Sequence, residues 1–303
     1  MTTPRVAVVR RGRRVVRLGK LDQVWWRDVG LRKLDLVDYY RSVGPAVVPH
    51  LRRRPFTIKR YPNGPRGPCF WIKDAPPELP DWIPVAPLPA KSRRGETVAY
   101  PVVNDELALL WMVDFGCVDL HVWYSRIDRP DRPDYVLFDL DPAAGAGFAE
   151  TVRAAHLLRD ALDAIGLESV VKTSGEGLHV QVPVARAYTY AETRKFSEVV
   201  AGALVRTQPR LVTTERVVSR RGGVFVDTKM NGEGMTVVAP YSVRPRPGAP
   251  VATPLRWDEL HERLDPSRFT PREVLARLER HGDLFAPVLR GRQRLERALR
   301  RLA

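Results

Sequence analysis

The sequence predicts an α+β protein with largely antiparallel sheets. Strand-like and helical segments are mixed along its 303 residues without strict βαβ repetition. Apolar runs of strand length end in Gly, Pro or Asn turns, and several helical stretches carry their own caps. The chain can bury a full core, as one large domain or two closely packed ones.

The elements follow in order. RVAVVRRGRRVVRL predicts two short strands around a basic glycine turn. LRKLDLVDYYRSV has helical spacing and is expected to stop before Gly44-Pro45. A proline-rich stretch from about Thr57 to Pro101 carries strand-like pieces, FTIKRY and CFWIK. NDELALLWMVDFG predicts a helix capped by Asn104 and stopped by Gly116. YVLFDLDP is a strand, and FAETVRAAHLLRDALDAIG is an amphipathic helix with Phe148, Val152, Ala155, Leu158, Leu162 and Ile165 on one face. Thr189 and Glu192 form a capping box for YAETRKFSEVVAGALV. GGVFVDTKMNGEGMTVVAPYS predicts two strands joined by a turn containing Asn231-Gly232. Thr270-Pro271-Arg272-Glu273 opens another helix, and a basic helix is expected to close the chain.

Charge narrows the function classes. Fifty Lys and Arg against 35 Asp and Glu leave a formal net charge of +15, which points to a polyanionic partner, most simply nucleic acid. The bland alternative is an arginine-rich composition spread over a solvated surface. Only Cys69 and Cys117 occur, which argues against a disulfide framework and fits a reducing cytosol. No Cys/His spacing suits zinc, and no run of about 18 apolar residues suits a membrane. The N-terminal segment lacks the long apolar stretch of a signal peptide, so a cytoplasmic location is expected.

Two acids in YVLFDLDPAAG carry the chemistry. Strand alternation puts Tyr135, Leu137, Asp139 and Asp141 on one face, with the acids about 6.6 Å apart along the strand. At about 5 Å and an effective dielectric of about 20, their repulsion is on the order of 3 kcal/mol. Asp141 before Pro142 also suits a helix N-cap, while Ala143 breaks an EF-hand pattern. In VVKTSGEGLHVQVPV, Leu178, Val180, Val182 and Val184 define a core face and leave His179 and Gln181 opposite. The turn Ser174-Gly175-Glu176-Gly177 offers amides to a phosphate. In VFVDT, Phe225 and Asp227 share a face. Two acids at i,i+2 and a third from a neighbouring strand make an oxygen-rich site for divalent cations, which with a basic surface suggests nucleotidyl transfer.

FDLDP, KTSGEGLH and VFVDTKMNGEGMTVVAPYSVRPRPGAPVATPL resemble the polymerase domain of bacterial DNA ligase D, of the archaeo-eukaryotic primase superfamily. The resemblance continues through GLRKLDLVDYY, IKRYPNG, CFWIKDAP, NDELALLWM and VDLHVW, roughly residues 18 to 290. No ligase or nuclease module accompanies these motifs, so a free-standing member is expected. The resemblance implies a two-lobed primase-polymerase fold with an RRM-like catalytic module. It divides the single domain into an N-terminal lobe of about 1–130, a catalytic module of about 131–255 and a C-terminal helical segment of about 256–303.

It also implies roles. Asp139, Asp141 and Asp227 match the metal-binding acids, for two Mn2+ or Mg2+ ions. Lys59, Arg60, His121, Ser174, His179, Arg220 and Arg244 match nucleotide contacts, for ribo- or deoxyribonucleoside triphosphates. Phe70 and Trp71 match a paired aromatic position that packs on DNA bases, and Lys33 matches one of two lysines that hold a downstream 5′-phosphate. Two residues depart from the pattern: Gln23 replaces the second lysine, with Arg27 and Arg32 nearby, and Glu176 stands where a basic residue is common. The implied activity is primer extension in gap filling or end joining, by a monomer at the nucleoid, with Ku and a separate ATP-dependent ligase as candidate partners. The alternatives are a de novo RNA primase and a non-catalytic DNA-binding module of the same fold; a metal-dependent nuclease explains only the acids.

Overall fold

The computed structural model describes residues 6–89 and 95–302. Its contacts group the chain into two units. One takes Met1–Asp128, Thr236–Ala252 and Ser267–Gly282; the other takes Arg129–Met235, Thr253–Pro266 and Asp283–Ala303. Both units are therefore discontinuous, unlike the three contiguous segments expected from the sequence. The reason is strand pairing: Thr236–Val238 pairs antiparallel with His121–Trp123, which draws the chain after the third acid into the first unit.

The second unit is built on a six-stranded sheet. Its order is Val212–Thr213, Val224–Asp227, Tyr135–Pro142, Leu178–Pro183, Val170–Thr173, Pro254–Leu255. Every pair is antiparallel except Val212–Thr213 with Val224–Asp227. Val136, Phe138 and Leu140 are wholly buried on one face of the central strand. The helices Phe148–Ala164 and Tyr190–Thr207 pack on this strand and on each other. The first buries Val152, Ala155, Leu158 and Leu162; the second starts with the Thr189/Glu192 capping box.

The first unit contains a four-stranded antiparallel sheet ordered Thr236–Val238, His121–Trp123, Phe56–Arg60, Phe70–Ile72. The N-terminal hairpin Ala7–Arg11/Arg14–Leu18 turns at Gly12, whose φ of +61° favours glycine. The helix Pro271–His281 is capped by Thr270 and has proline in its first turn. Glu296–Leu302, in the second unit, is the closing helix.

Local expectations fail at four places. The helix at Lys33 does not stop before Gly44 but runs to Leu51 through Pro45 and Pro49. An interior proline costs about 3 kcal/mol, yet Val43, Gly44, Val47, Val48 and Leu51 are buried, and the helix packs on Glu106–Asp114. Burial of about 1.5–3 kcal/mol per large apolar side chain outweighs that cost. That second helix is capped by Asp105, not Asn104: Asp105 accepts from Ala108 N–H, and Asn104 instead accepts from Arg53 N–H. Asp141 caps no helix, because the next helix starts at Phe148 behind Gly147. Finally, Val224–Asp227 and Thr236–Val238 form no hairpin and belong to different sheets. Asn231 does not turn a hairpin but lies buried against the central strand, accepting from Leu137 N–H at 2.8 Å and donating to Leu137 C=O at 2.6 Å.

Candidate functional site

In the second unit the three acids meet through strand register. Asp139 lies directly opposite Asp227 on one side and His179 on the other. Opposed residues in an antiparallel pair hold their Cβ atoms about 4.5–5.5 Å apart, so Asp139 and Asp227 are immediate neighbours. Asp141, two residues along, shares their face. His179 is buried and its Nε2 lies 3.1 Å from Asp139 Oδ1. Asp227 Oδ1 accepts from Lys229 N–H at 2.9 Å, which starts the turn that follows.

Asp141 keeps an edge open to solvent, yet its carboxyl is pushed up to about 7. Loss of surrounding water is the largest cause, followed by the charges of Asp139, Asp227 and Glu176, with Arg221 opposing them. Among the described residues no three His, Cys, Asp or Glu side chains close on a common point. Asp139 is turned onto His179 and Asp227 onto the Lys229 amide. The donor chemistry nevertheless fits hard divalent cations, which take carboxylate oxygens, and the raised Asp141 carboxyl reflects negative charge that such cations relieve.

The Ser174–Gly177 turn joins the strands Val170–Thr173 and Leu178–Pro183 and closes with Ser174 N–H donating to Gly177 C=O at 3.0 Å. Gly177 lets this turn touch the acid strand: a Cβ there would lie 2.1 Å from the Leu140 carbonyl oxygen and 2.9 Å from Asp141 Oδ1. Glu176 is exposed, but its charge reaches Asp141, so it adds to the acid group. Arg220 is exposed on the short turn Val218–Arg220. The neighbouring Arg221 lies 3.6 Å over the Phe225 ring, and its charge opposes the rise at Asp141. Sequence reasoning named Arg220 alone, since adjacent arginines give no local signal for which one packs on Phe225.

The first unit gathers a basic and aromatic group. Lys59 Nζ, His121 Nε2 and Arg244 Nη1 lie 3.2, 3.1 and 3.1 Å from the same oxygen, Asp119 Oδ2. Asp119 is fully buried. Burial would raise its carboxyl, but His121, Arg244 and Lys59 outweigh that and hold it at about 2. His121 is lowered, by burial first and then by Arg244 and Lys59, against the opposing pull of Asp119. Asp119 is the residue that sequence reasoning overlooked; its one trace is an acid two places before His121.

Lys59 pairs in register with Trp71, and its ammonium lies 5.1 Å from that ring. Trp71 meets His121 edge-on at 4.8 Å. Phe70 and Trp71 are more than half exposed on a short strand, although large aromatics ordinarily seek the core. Arg60 points elsewhere: its Nε donates to Phe115 C=O, and its guanidinium stacks 4.0 Å over the Phe115 ring.

Lys33 is 5% exposed and committed internally, donating to Gly19 C=O, Asp114 C=O and Asp114 Oδ1, the last at 2.6 Å. Gln23 accepts from Trp25 Nε1. Both line a cavity of about 340 Å3 with Lys20, Arg60 and Trp111. Arg32 is taken by Asp35, while Arg27 lines a neighbouring cavity.

The family described as "LigD, primase-polymerase domain" matches residues 32–285. The multifunctional non-homologous end joining protein LigD of Mycolicibacterium smegmatis is 35% identical over 278 residues, 90% of this chain and 36% of that protein. The bifunctional non-homologous end joining protein LigD of Bacillus subtilis is 32% identical, over 90% of this chain and 44% of that protein. The chain thus spans less than half the length of these relatives. A solved structure, the polymerase domain from Mycobacterium tuberculosis ligase D in complex with DNA, superposes with a TM-score of 0.84 at 31% identity, over 92% of this chain and 99% of that one.

Proposed function

The chain belongs to the LigD primase-polymerase family, and on that premise we propose that it is a template-dependent nucleotidyltransferase, adding ribo- or deoxyribonucleotides to a primer 3′-hydroxyl in gap filling or break end joining. The observation that carries this reading is the strand register that sets Asp227 beside Asp139, with Asp141 on the same face. A pair of Mn2+ or Mg2+ ions held by Asp139, Asp141 and Asp227 would supply activation of the hydroxyl and charge neutralisation at the phosphates.

The remaining work falls to the chain's own side chains. His179, with its Nε2 3.1 Å from Asp139 Oδ1, orients that carboxylate. Gly177 brings the Ser174 turn, with its amides, alongside Asp141, where a phosphate can be met by backbone donors. Lys59 and Arg244, with His121 beside them on the same Asp119 oxygen, supply charge-assisted donors to the triphosphate, and negative charge developing on the leaving pyrophosphate is what such donors stabilise. Phe70 and Trp71, exposed and rigidly borne on a strand, offer stacking surface to bases, worth on the order of 1–3 kcal/mol each. DNA is the proposed partner, consistent with the DNA-bound relative. Ku and an ATP-dependent ligase are proposed because the relatives are end-joining proteins.

The test is primer extension with manganese. Asp139→Ala should abolish nucleotide addition while DNA affinity stays within about threefold. Extension by the purified, folded variant would refute the assignment. The same reaction run without primer separates extension from de novo initiation.

A further inference from the structure

Asp119 is the focus of an arrangement that neither the family resemblance nor the acid site requires. Three donors reach its Oδ2 from three separate segments: Lys59 from the strand Phe56–Arg60, His121 from the strand His121–Trp123, and Arg244 from the loop beyond Thr236–Val238. Its other oxygen is buried without a hydrogen-bond partner, so the whole ionic load falls on one atom. We propose that Asp119 is a positioning residue, holding Lys59 and Arg244, with neutral His121 buttressing them, as a preassembled receptor for the phosphates of a nucleoside triphosphate. This role rests on the nucleotidyl-transfer reading above.

The physical argument is preorganisation. Long cationic side chains on a surface lose rotamer freedom when they close on an anion. Here that freedom is lost on folding. The Lys59 and Arg244 side chains are each only 16% exposed, enough to meet an anion but not to wander. Lys59 is boxed further by Tyr61 at 5.4 Å and Trp71 at 5.1 Å. Two cations against one carboxylate leave the cluster with a surplus positive charge, so it still attracts a polyanion. Arg60, next to Lys59 in sequence, is stacked on Phe115 and lies outside this receptor. His121, kept neutral by burial and its cationic neighbours, gives its Nε2 proton to Asp119 and leaves Nδ1 buried without a partner.

Positioning and simple charge compensation predict opposite signs. Asp119→Asn adds one positive charge to the cluster, which by Coulomb attraction alone tightens anion binding. It also replaces the charged acceptor with a neutral amide carbonyl, which holds the three donors less tightly and lets them disperse. Titrating ATP into the DNA-free protein should show Asp119→Asn binding about tenfold or more weakly than wild type. In primer extension the loss should fall on the nucleotide KM rather than on kcat. Lys59→Met combined with Asp119→Asn should cost less than the two single losses multiplied, as coupled groups do. An Asp119→Asn protein that binds ATP as tightly as wild type, or tighter, overturns the positioning role alone. Wild-type protein with no affinity for ATP overturns the proposed function with it. Should Asp119→Asn not fold, nitrogen NMR of wild-type His121 decides: an Nε2-protonated neutral ring is expected, and an Nδ1-protonated ring overturns the proposal.

Discussion

A carboxylate wholly inside a protein persists only where its partners outweigh the hydration it has lost, and Asp119 is such a case. Burial lifts its carboxyl, but His121, Arg244 and Lys59 bring it from the ordinary 3.8 down to about 2. Because the folded pKa is the lower one, the unfolded chain binds the proton more readily between these values. The stabilisation is complete above about pH 4 and fades as pH falls through about 2. It amounts to about 2 kcal/mol. In denaturant titrations the stability gap between wild type and Asp119→Asn should therefore narrow by about 2 kcal/mol from pH 6 to pH 2. A gap that stays constant would contradict the ion-pair account. Asp141 shows the reverse displacement, up to about 7, because loss of water and then the charges of Asp139, Asp227 and Glu176 outweigh the single opposing charge of Arg221. These two acids differ by about five pH units through environment alone.

Elements in this protein are held by contacts their own residues do not announce. The strand Val224–Asp227 pairs with the acid strand only over 139–142, after which the chain turns away. Asn231 then replaces the missing strand: its side-chain amide satisfies both the N–H and the C=O of Leu137, and it also donates to Ser197 Oγ. Asn231→Ala would leave two buried backbone groups unpaired, and each such loss costs about 1–3 kcal/mol. We expect a destabilisation of about 2 kcal/mol or more by urea unfolding, and a loss below about 0.5 kcal/mol would show that Asn231 is incidental. The Pro45 helix has a similar lesson. Proline and glycine are stop signals in a local reading, but the stretch from Val43 to Leu51 is buried against another helix, and that packing decides.

Across the whole chain, the surplus of fifteen positive charges and the fate of Lys33 bear on the same question. A lysine spent on Asp114 has little charge left for a terminal phosphate, and Gln23 has none. DNA affinity should come from many backbone contacts rather than from one anchored end. Binding to gapped DNA should fall on the order of a thousandfold between 50 and 200 mM salt. A downstream 5′-phosphate should strengthen it by less than the roughly tenfold expected of a charge-assisted contact. Strong phosphate dependence with weak salt dependence would reverse this picture. Among the described residues no helix is long and apolar enough to cross a membrane.

Much of this was legible in the linear chain. Alternation placed Asp139 and Asp141 on one face, the Thr189 and Thr270 caps were readable from four residues each, and the charge balance required no coordinates. These features depend on neighbours within one or two turns of backbone, where geometry is periodic. Folding decided what periodicity cannot express: that Asp227 faces Asp139, that Arg221 packs on Phe225, that Lys33 is buried, and that residues 59, 121 and 244 share one carboxylate oxygen. Each depends on which distant strands pair and which side chains lose their water, and those free energies arise only when the chain is assembled.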